Sequence, residues 1–256
     1  MDKLPLSVVI ISFNEERNIA RCIDSVSSLV QEVIVVDSFS KDRTKELALE
    51  RGAVFIEHAF EGHIQQKNWA WKQASNDWVL SLDADEALDE KLRNSIRVAF
   101  AEEAELEGYT MSRLTNYCGH WVRHSGWYPD TKLRLFCKGK GEWGGVNPHD
   151  RFELHQQDKT GHLEGDILHY SYYSREDHLR QIEYFSDIAS KELHAQGKSV
   201  SVPMIWIKVI AQYVKNLLLK SGFLDGSAGF TIARLSAFAT YRKYIKLKQR
   251  NAGKFA

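Results

Sequence analysis

The stretch Leu-Ser-Leu-Asp-Ala-Asp-Glu (residues 80–86) is a short apolar run that ends in two aspartates one residue apart. Its apolar residues predict a buried strand, and Asp83 and Asp85 stand at the C-terminal end of that strand. Open α/β sheets bind their ligands at this end of their strands. Carboxylate oxygens placed there suit a Mg²⁺ or Mn²⁺ ion that also binds a diphosphate, so the motif predicts a metal and nucleotide site.

Two earlier apolar runs end in the same way. Residues 7–14 read Ser-Val-Val-Ile-Ile-Ser-Phe-Asn, and residues 33–38 read Val-Ile-Val-Val-Asp-Ser. Helical patterns and one further strand alternate with these runs, at residues 19–30, 41–51, 54–58, 64–74 and 90–103. This order of strands and helices predicts an α/β fold with a doubly wound, mostly parallel sheet.

The glycine-rich loops of the two commonest nucleotide-binding folds are absent from the sequence. No G-x-G-x-x-G follows the first strand, and no G-x-x-x-x-G-K-[ST] occurs anywhere. The strands end instead in Asn14, Asp37 and Asp83. A sheet that presents such side chains must hold phosphate through a metal ion or through basic side chains.

The pattern changes after residue 108 to shorter pieces. Residues 109–114 and 132–137 predict strands, with a long excursion between them at 117–128. Ser174 and Asp177 form a capping-box motif, which predicts a helix that runs to about residue 196.

The end of the chain is basic, although the whole chain has 34 basic and 34 acidic residues. Residues 201–256 contain ten Lys or Arg and a single acid, Asp225. An amphipathic helix at 204–219 and a second helix at 230–249 are expected there. We therefore predict a domain over 1–200 and a basic amphipathic helical tail over 201–256 that lies on an anionic membrane surface. The sequence has no nucleic-acid-binding motif, so no nucleic-acid partner is expected.

The cysteines and the apolar segments indicate the cellular compartment of the protein. Cys22, Cys118 and Cys137 lack metal-ligand or disulfide-framework spacing, which fits a reducing compartment. The N-terminus is too short and polar for a secretory signal, and we expect no apolar run of the roughly 18 residues that a bilayer span needs. The expected location is cytoplasmic, peripheral on the inner face of the cytoplasmic membrane.

These motifs together resemble those of a family 2 glycosyltransferase with the GT-A fold. The resemblance is carried by residues 7–16, 35–44, 66–68 and 82–86. Further motifs are similar to those of the branch that adds a β-1,4-linked glucose to the inner core of lipopolysaccharide, at residues 132–136, 144–150, 167–172 and 222–230. The resemblance implies an inverting, metal-dependent transfer of a hexose, with UDP-glucose as the expected donor and a lipid-linked inner-core heptose as the expected acceptor.

The resemblance also implies roles for individual residues. Asp37 is similar to the carboxylate that accepts the imide N–H of uracil. The residues expected at the donor nucleotide are Ser12, Asn14, Glu15, Asp37, Lys67 and Asp83. The residues expected at Mg²⁺ or Mn²⁺ are Asp83, Asp85 and His169. Asp150 is the expected base that deprotonates the acceptor hydroxyl, and His149 is the alternative base.

Each of these residues also has a purely structural interpretation. Asp83 and Asp85 fit a turn after a strand, and Asp37 fits an Asx turn or a helix cap. Asn14 is placed to cap the first helix, Lys67 fits a solvated helix face, and His169 fits a buried strand position.

Three other functions are compatible with parts of the sequence. Transfer to a polyprenyl phosphate needs no strong base, because the acceptor is already ionised. A non-catalytic saccharide- or membrane-binding protein on a decayed transferase fold would have no use for Asp37, Asp83 and Asp85. A sugar-nucleotide pyrophosphorylase needs a Gly-rich loop after the first strand, where residues 13–16 read Phe-Asn-Glu-Glu.

Overall fold

The computed structural model describes residues 2–102, 105–146, 149–156 and 159–253, without the side chains of Val146 and His149. The chain forms two compact units, residues 1–114 with 130–170 and residues 115–129 with 171–256. The expected division into a domain over 1–200 and a tail over 201–256 stays a prediction.

Strands and helices alternate over the first hundred residues, as the sequence predicts. The strands are β1 (Leu4–Ser12), β2 (Val30–Asp37), β3 (Val54–Glu57), β4 (Trp78–Asp83), β5 (Glu86–Leu88), β6 (Gly108–Tyr117), β7 (His120–Val122), β8 (Asp130–Cys137), β9 (Gly141–Val146), β10 (His149–Leu154) and β11 (Thr160–Tyr172). The α-helices are α1 (Ile19–Val26), α2 (Thr44–Glu50), α3 (His63–Trp71), α4 (Glu90–Ala101), α5 (Arg175–Ala195), α6 (Val202–Val214) and α7 (Gly226–Asn251).

The main sheet has the strand order β3-β2-β1-β4-β8-β6-β11-β5, and β7 pairs with β6. The first four strands of this order are parallel. β8 runs antiparallel to β4, and β9 and β10 form a separate antiparallel hairpin. The predicted GT-A-like α/β fold with a C-terminal helical extension is confirmed, with the parallel strands confined to one half of the sheet.

The parallel register brings the strand ends together. Ser12 of β1 lies opposite Asp37 of β2, and Ile11 of β1 lies opposite Asp83 of β4. The polar ends of three consecutive neighbours therefore form one edge, which is where the sequence predicts the ligand site.

The parallel strands are buried on both faces, which explains why β1 is apolar at nearly every position. Val8 and Ile10 pack in the cluster that also contains Ile19 and Ile23 of α1, while Val9 packs in the cluster on the other face. The helical spacing predicted for α1 is confirmed by its buried residues, but the predicted cap is wrong. The helix begins after Asn18, because Asn14 instead binds the neighbouring loop.

The second unit contains α5, α6 and α7. The predicted capping box is confirmed, since Ser174 and Asp177 exchange their side-chain and backbone hydrogen bonds at the start of α5. Lys246 of α7 is buried and donates to the Glu183 carbonyl oxygen at 2.7 Å and to Ser186 Oγ at 2.8 Å, so this cation joins α7 to α5.

The expectation that no segment is long and apolar enough to cross a membrane is wrong. α6 continues into a π-helical turn (Lys215–Leu219). Together they form an 18-residue helical stretch, Val202–Leu219, that is long enough and apolar enough to cross a membrane, by length and composition. Only 17% of this stretch is buried in the protein. It contains two lysines, Lys208 and Lys215, which the sequence reasoning weighed more heavily than the apolar residues around them.

Candidate functional site

The ends of β1 and β2 are joined through a buried carboxylate. Asp37 accepts hydrogen bonds from Ser12 Oγ at 2.8 Å, from the Ser40 backbone N–H at 2.6 Å and from Ser40 Oγ at 2.6 Å. An ionised carboxylate offers about four acceptor positions, so one remains for a ligand donor. The structure thus brings Ser12 and Asp37 together, and Asp37 does not cap the following helix.

The loop after β1 crosses to the loop after β2. Asn14 adopts a left-handed conformation (φ 54°), which asparagine tolerates better than most residues. Its side chain accepts from the Lys41 backbone N–H at 2.9 Å, and its own backbone N–H donates to Ser40 Oγ at 2.7 Å. The Glu15 backbone N–H donates to Thr44 Oγ1 at 2.8 Å. These bonds fix both loops at the strand ends.

The carboxyl group of Glu15 lies in a setting that disfavours its charge. Burial raises its pKa from 4.5 to about 7, and the negative charges of Asp85, Asp42 and Asp83 act in the same direction. A hydrogen bond from Asn18 Nδ2 at 2.7 Å offsets only part of this rise. Near neutral pH this side chain therefore changes between a hydrogen-bond donor and a charged acceptor.

We predict that Glu15 makes the protein less stable as pH rises. The folded state retains the Glu15 proton between pH 4.5 and about 7, where the unfolded chain has lost it. The free energy of unfolding therefore falls across this window, by roughly 3 kcal/mol for such a shift. Urea unfolding of wild type and Glu15→Gln from pH 5 to 8 measures it. The difference in the free energy of unfolding between wild type and Glu15→Gln should change with pH. Parallel plots of this free energy against pH would contradict the prediction.

A buried lysine connects two of the predicted site carboxylates. Lys67 of α3 is only 4% exposed, so it is not on a solvated helix face. Its Nζ lies 3.0 Å from Asp83 Oδ1 and 2.8 Å from Asp150 Oδ2. The structure therefore brings Lys67, Asp83 and Asp150 together, although they come from three distant parts of the sequence.

Asp83 is held as a carboxylate by two cations. Burial favours its neutral form, but Lys67 and Arg134 outweigh burial and hold its pKa well below the usual range. Arg134 Nη2 lies 3.0 Å from Asp83 Oδ2. Both oxygens of Asp83 thus have cationic partners.

Asp85 faces a different partner. Its Oδ2 lies 3.1 Å from His169 Nε2, and its backbone carbonyl accepts from the Tyr170 N–H at 2.8 Å. Burial raises the pKa of Asp85, but His169 more than reverses this, and Asp85 in turn raises the pKa of His169 against the effect of burial. The two side chains are 25% and 16% exposed, so an ion from solvent can reach them.

The Asp85–His169 pair fits two adjacent ligands of a divalent ion. Ligands at about 2.1 Å on neighbouring corners of an octahedron are about 3 Å apart, which matches the separation of these atoms. Mn²⁺ accepts both carboxylate and imidazole. Within the described residues, no three His, Cys, Asp or Glu side chains form a complete metal site, so further ligands would have to come from a substrate or from water.

Glu86 and Arg134 belong to this site, although the sequence reasoning gave them no role. Glu86 is buried, accepts from the Asp83 backbone N–H at 2.9 Å, and receives Arg134 Nη2 at 3.0 Å. It thereby fixes the turn that carries Asp83 and Asp85. The available signal was a charged residue inside the apolar strand Leu133-Arg134-Leu135-Phe136. For the alternative base His149, the backbone lies in β10 and the side chain lies outside the described residues.

Comparisons with known proteins show which family the chain belongs to. The profile of the family described as glycosyl transferase family 2 matches residues 7–180. An uncharacterized glycosyltransferase of Rickettsia typhi is 31% identical over 253 residues, which cover 95% of this chain and 87% of that protein. The lipopolysaccharide core biosynthesis glycosyltransferase LpsC of Rhizobium meliloti is 27% identical over 265 residues and covers 94% of both chains.

Solved structures give a weaker similarity. Glucosyl-3-phosphoglycerate synthase from Mycobacterium tuberculosis, in complex with Mn²⁺, UDP and glucosyl-3-phosphoglycerate, is 25% identical with a TM-score of 0.36. The match covers 43% of this chain and 44% of that one.

The family match covers most of the chain and includes the strand ends described above. The chain belongs to glycosyl transferase family 2 and is a glycosyltransferase.

Proposed function

We propose that the protein transfers a hexose, glucose, from a UDP-sugar to a lipid-linked saccharide with inversion of the anomeric centre. The observation that carries the proposal is the single site edge where Asp37, Asp83 and the Asp85–His169 pair lie with Lys67 and Asp150. The relative named for lipopolysaccharide core biosynthesis favours an inner-core heptose as the acceptor.

The donor nucleotide would bind at the ends of β1, β2 and β4. Asp37 has one free acceptor position for the uracil N–H, and the loops of Ser12, Asn14 and Glu15 border it. Asp83 supplies a carboxylate for the ribose hydroxyls. Lys67, which contacts Asp83, would neutralise a phosphate oxygen.

The metal would bind at Asp85 and His169, with Mg²⁺ or Mn²⁺ as the fitting ions. When bound, it supplies a Lewis acid that stabilises the charge developing on the departing diphosphate. Asp83 was also expected as a ligand. Because its oxygens contact Lys67 and Arg134, we assign it to the nucleotide and keep its metal role as a prediction.

Asp150 would act as the base. Its carboxylate is 10% exposed and contacts Lys67, so it is held in one orientation at the site edge. A positioned carboxylate of this kind removes the acceptor proton as the new glycosidic bond forms. The alternative base, His149, stays a prediction.

Product analysis tests this proposal directly. The protein is incubated with Mn²⁺, a panel of UDP-sugars and a saccharide that ends in heptose, and the product linkage is read by NMR. We expect a β-linked glucose from UDP-α-glucose. An α-linked product would contradict inversion, and turnover of polyprenyl phosphate instead would favour the rival acceptor.

The proposed acceptor is lipid-linked, and the helical stretch Val202–Leu219 offers a surface for its membrane. Large apolar side chains project from it into solvent, namely Trp206, Ile207, Ile210, Val214, Leu218 and Leu219. Ile205 and Leu217 are buried, so the exposed apolar stripe is not the face that packs on the protein. We propose that this stripe lies in the interface on the cytoplasmic face of the membrane, with Lys208 and Lys215 beside the anionic headgroups.

We predict that the protein binds vesicles that contain anionic phospholipid more tightly than purely zwitterionic vesicles. Replacing Ile207 and Ile210 together by Asp should weaken this binding at least about tenfold, because both side chains lose their insertion into the interface. Vesicle sedimentation measures the change. Val98→Asp is the matched control, since Val98 is 57% exposed and lies on α4 in the first unit. Equal binding by the double variant and wild type would contradict the prediction.

A further inference from the structure

Arg134 is the least satisfied cation of the described residues. It is 3% exposed, and Nη2 makes both of its hydrogen bonds, to Asp83 and Glu86. Its Nε and Nη1 are buried and have no hydrogen-bond partner. Three N–H groups of one guanidinium are therefore removed from bulk water without an acceptor. Such groups are rare in folded proteins, because the lost hydrogen bonds to water are not replaced.

The orphaned groups adjoin the reaction centre. Arg134 shares Asp83 with Lys67, and Lys67 contacts the proposed base Asp150. Lys67 Nζ and Arg134 Cζ lie 4.5 Å and 5.5 Å from the ring centroid of Trp143. The indole Nε1 of Trp143 is also buried without a partner. The unused donors thus belong to side chains that adjoin Asp83, the residue assigned to the ribose, and Lys67, which links Asp83 to Asp150.

The charges around Arg134 decide which acceptor it takes. Four cations, which belong to Lys67, Arg113, Lys132 and Arg134, alternate with four carboxylates, which belong to Asp83, Glu86, Asp130 and Asp150. The charges of the cluster already balance, so it needs no further anion. A neutral oxygen, such as a sugar hydroxyl, meets the need for acceptors without adding charge.

From this arrangement we infer that Arg134 binds hydroxyl oxygens of the transferred hexose through Nε and Nη1, and so determines which donor sugar is accepted. This inference rests on the proposed function, because an inverting displacement places the hexose between the diphosphate and the base. The bonds from Nη2 to Asp83 and Glu86 hold the guanidinium plane rigid, so its free edge presents donors in a fixed geometry. A rigid donor edge discriminates between hydroxyl positions better than a flexible ammonium.

The test compares wild type with Arg134→Lys, which keeps a cation for Asp83 and Glu86 and removes the fork. Binding of UDP, of UDP-glucose and of UDP-glucose analogues that each lack one sugar hydroxyl is measured by calorimetry with Mn²⁺. In wild type, we expect at least one deoxy analogue to bind about tenfold or more weakly than UDP-glucose. In Arg134→Lys, that difference should shrink to about twofold, while UDP itself changes by less than about threefold.

The outcomes separate this inference from the proposed function. If Arg134→Lys weakens UDP and all sugar nucleotides by one common factor, Arg134 only positions Asp83 and the inference is wrong. If wild type binds UDP but discriminates against no deoxy analogue, the inference is also wrong, whereas the proposed use of a UDP-sugar stands. If wild type does not bind UDP at all, the proposed function fails first. If Arg134→Lys does not fold, the same binding measurements are made with Arg134→Gln. Thermal unfolding checks that each variant is folded.

Discussion

Replacing Asp85 by Asn is expected to lower the rate of sugar transfer about a thousandfold. Asp85 and His169 combine solvent access with metal-ligand spacing at the site edge. Asn is nearly the same size but has no charge to bind the ion, so the departing diphosphate loses its stabilisation. Steady-state release of UDP in the presence of Mn²⁺ measures the effect.

A surface aspartate gives the matched control for this variant. Asp24 pairs with Arg51 and has a side chain that is 60% exposed. We expect Asp24→Asn to retain the wild-type rate within about twofold, because exposed ion pairs contribute little. Full metal-dependent activity in Asp85→Asn would contradict the assignment of the metal to Asp85.

Replacing Asp150 by Asn is expected to lower the rate of transfer to a saccharide hydroxyl by about 10²- to 10⁴-fold. The change removes the group that we propose takes the acceptor proton but leaves Lys67 its contact with Asp83. UDP affinity should therefore change much less than the rate. Single-turnover kinetics at saturating donor, together with UDP calorimetry, separate the two effects.

Another position on the same strand offers a control for Asp150. Glu153 lies on the same strand, β10, and pairs with Arg151 on the surface. Glu153→Gln should leave transfer within about twofold of wild type. If Asp150→Asn were nearly as active as wild type, a hydroxyl acceptor that needs this base would be excluded. The alternatives would then be His149 as the base or a polyprenyl phosphate acceptor, which arrives already ionised.

Much of the fold was visible in the sequence because the parallel half of the sheet is encoded locally. β1, β2 and β4 are apolar runs that end in polar residues, and α1 buries Ile19, Cys22, Ile23 and Val26 at helical spacing. Parallel register then brings Ser12, Asp37 and Asp83 to one edge without further information. The proposed donor side of the site follows from the same pattern.

The other half of the site depends on pairings that no local pattern encodes. Arg134 reaches Asp83 because β8 pairs antiparallel with β4, and Lys67 reaches Asp150 across 83 positions of the sequence. Asn14 looked like a helix cap because its residue type suits that role, but its left-handed conformation turns it toward the next loop. Each of these outcomes was decided by tertiary contacts, which outweigh local preference.

The exposed helix shows a different limit. The sequence analysis expected no apolar run long enough for a bilayer span, yet Val202–Leu219, which contains two lysines, is sufficient by length and composition. Sequence periodicity indicates that a helix has an apolar face, but only the packing shows which apolar residues remain in solvent. Here Ile207 and Ile210 are exposed while Ile205 is buried.

The most direct measurement is a calorimetric titration of UDP into the wild-type protein with and without Mn²⁺. We expect binding at least about tenfold tighter with the ion, because Asp85, His169 and the diphosphate would together supply its ligands. The same titration into Asp85→Asn should show no gain from Mn²⁺. Equal UDP affinity with and without the ion in wild type would contradict a metal-dependent donor site at the ends of β1, β2 and β4.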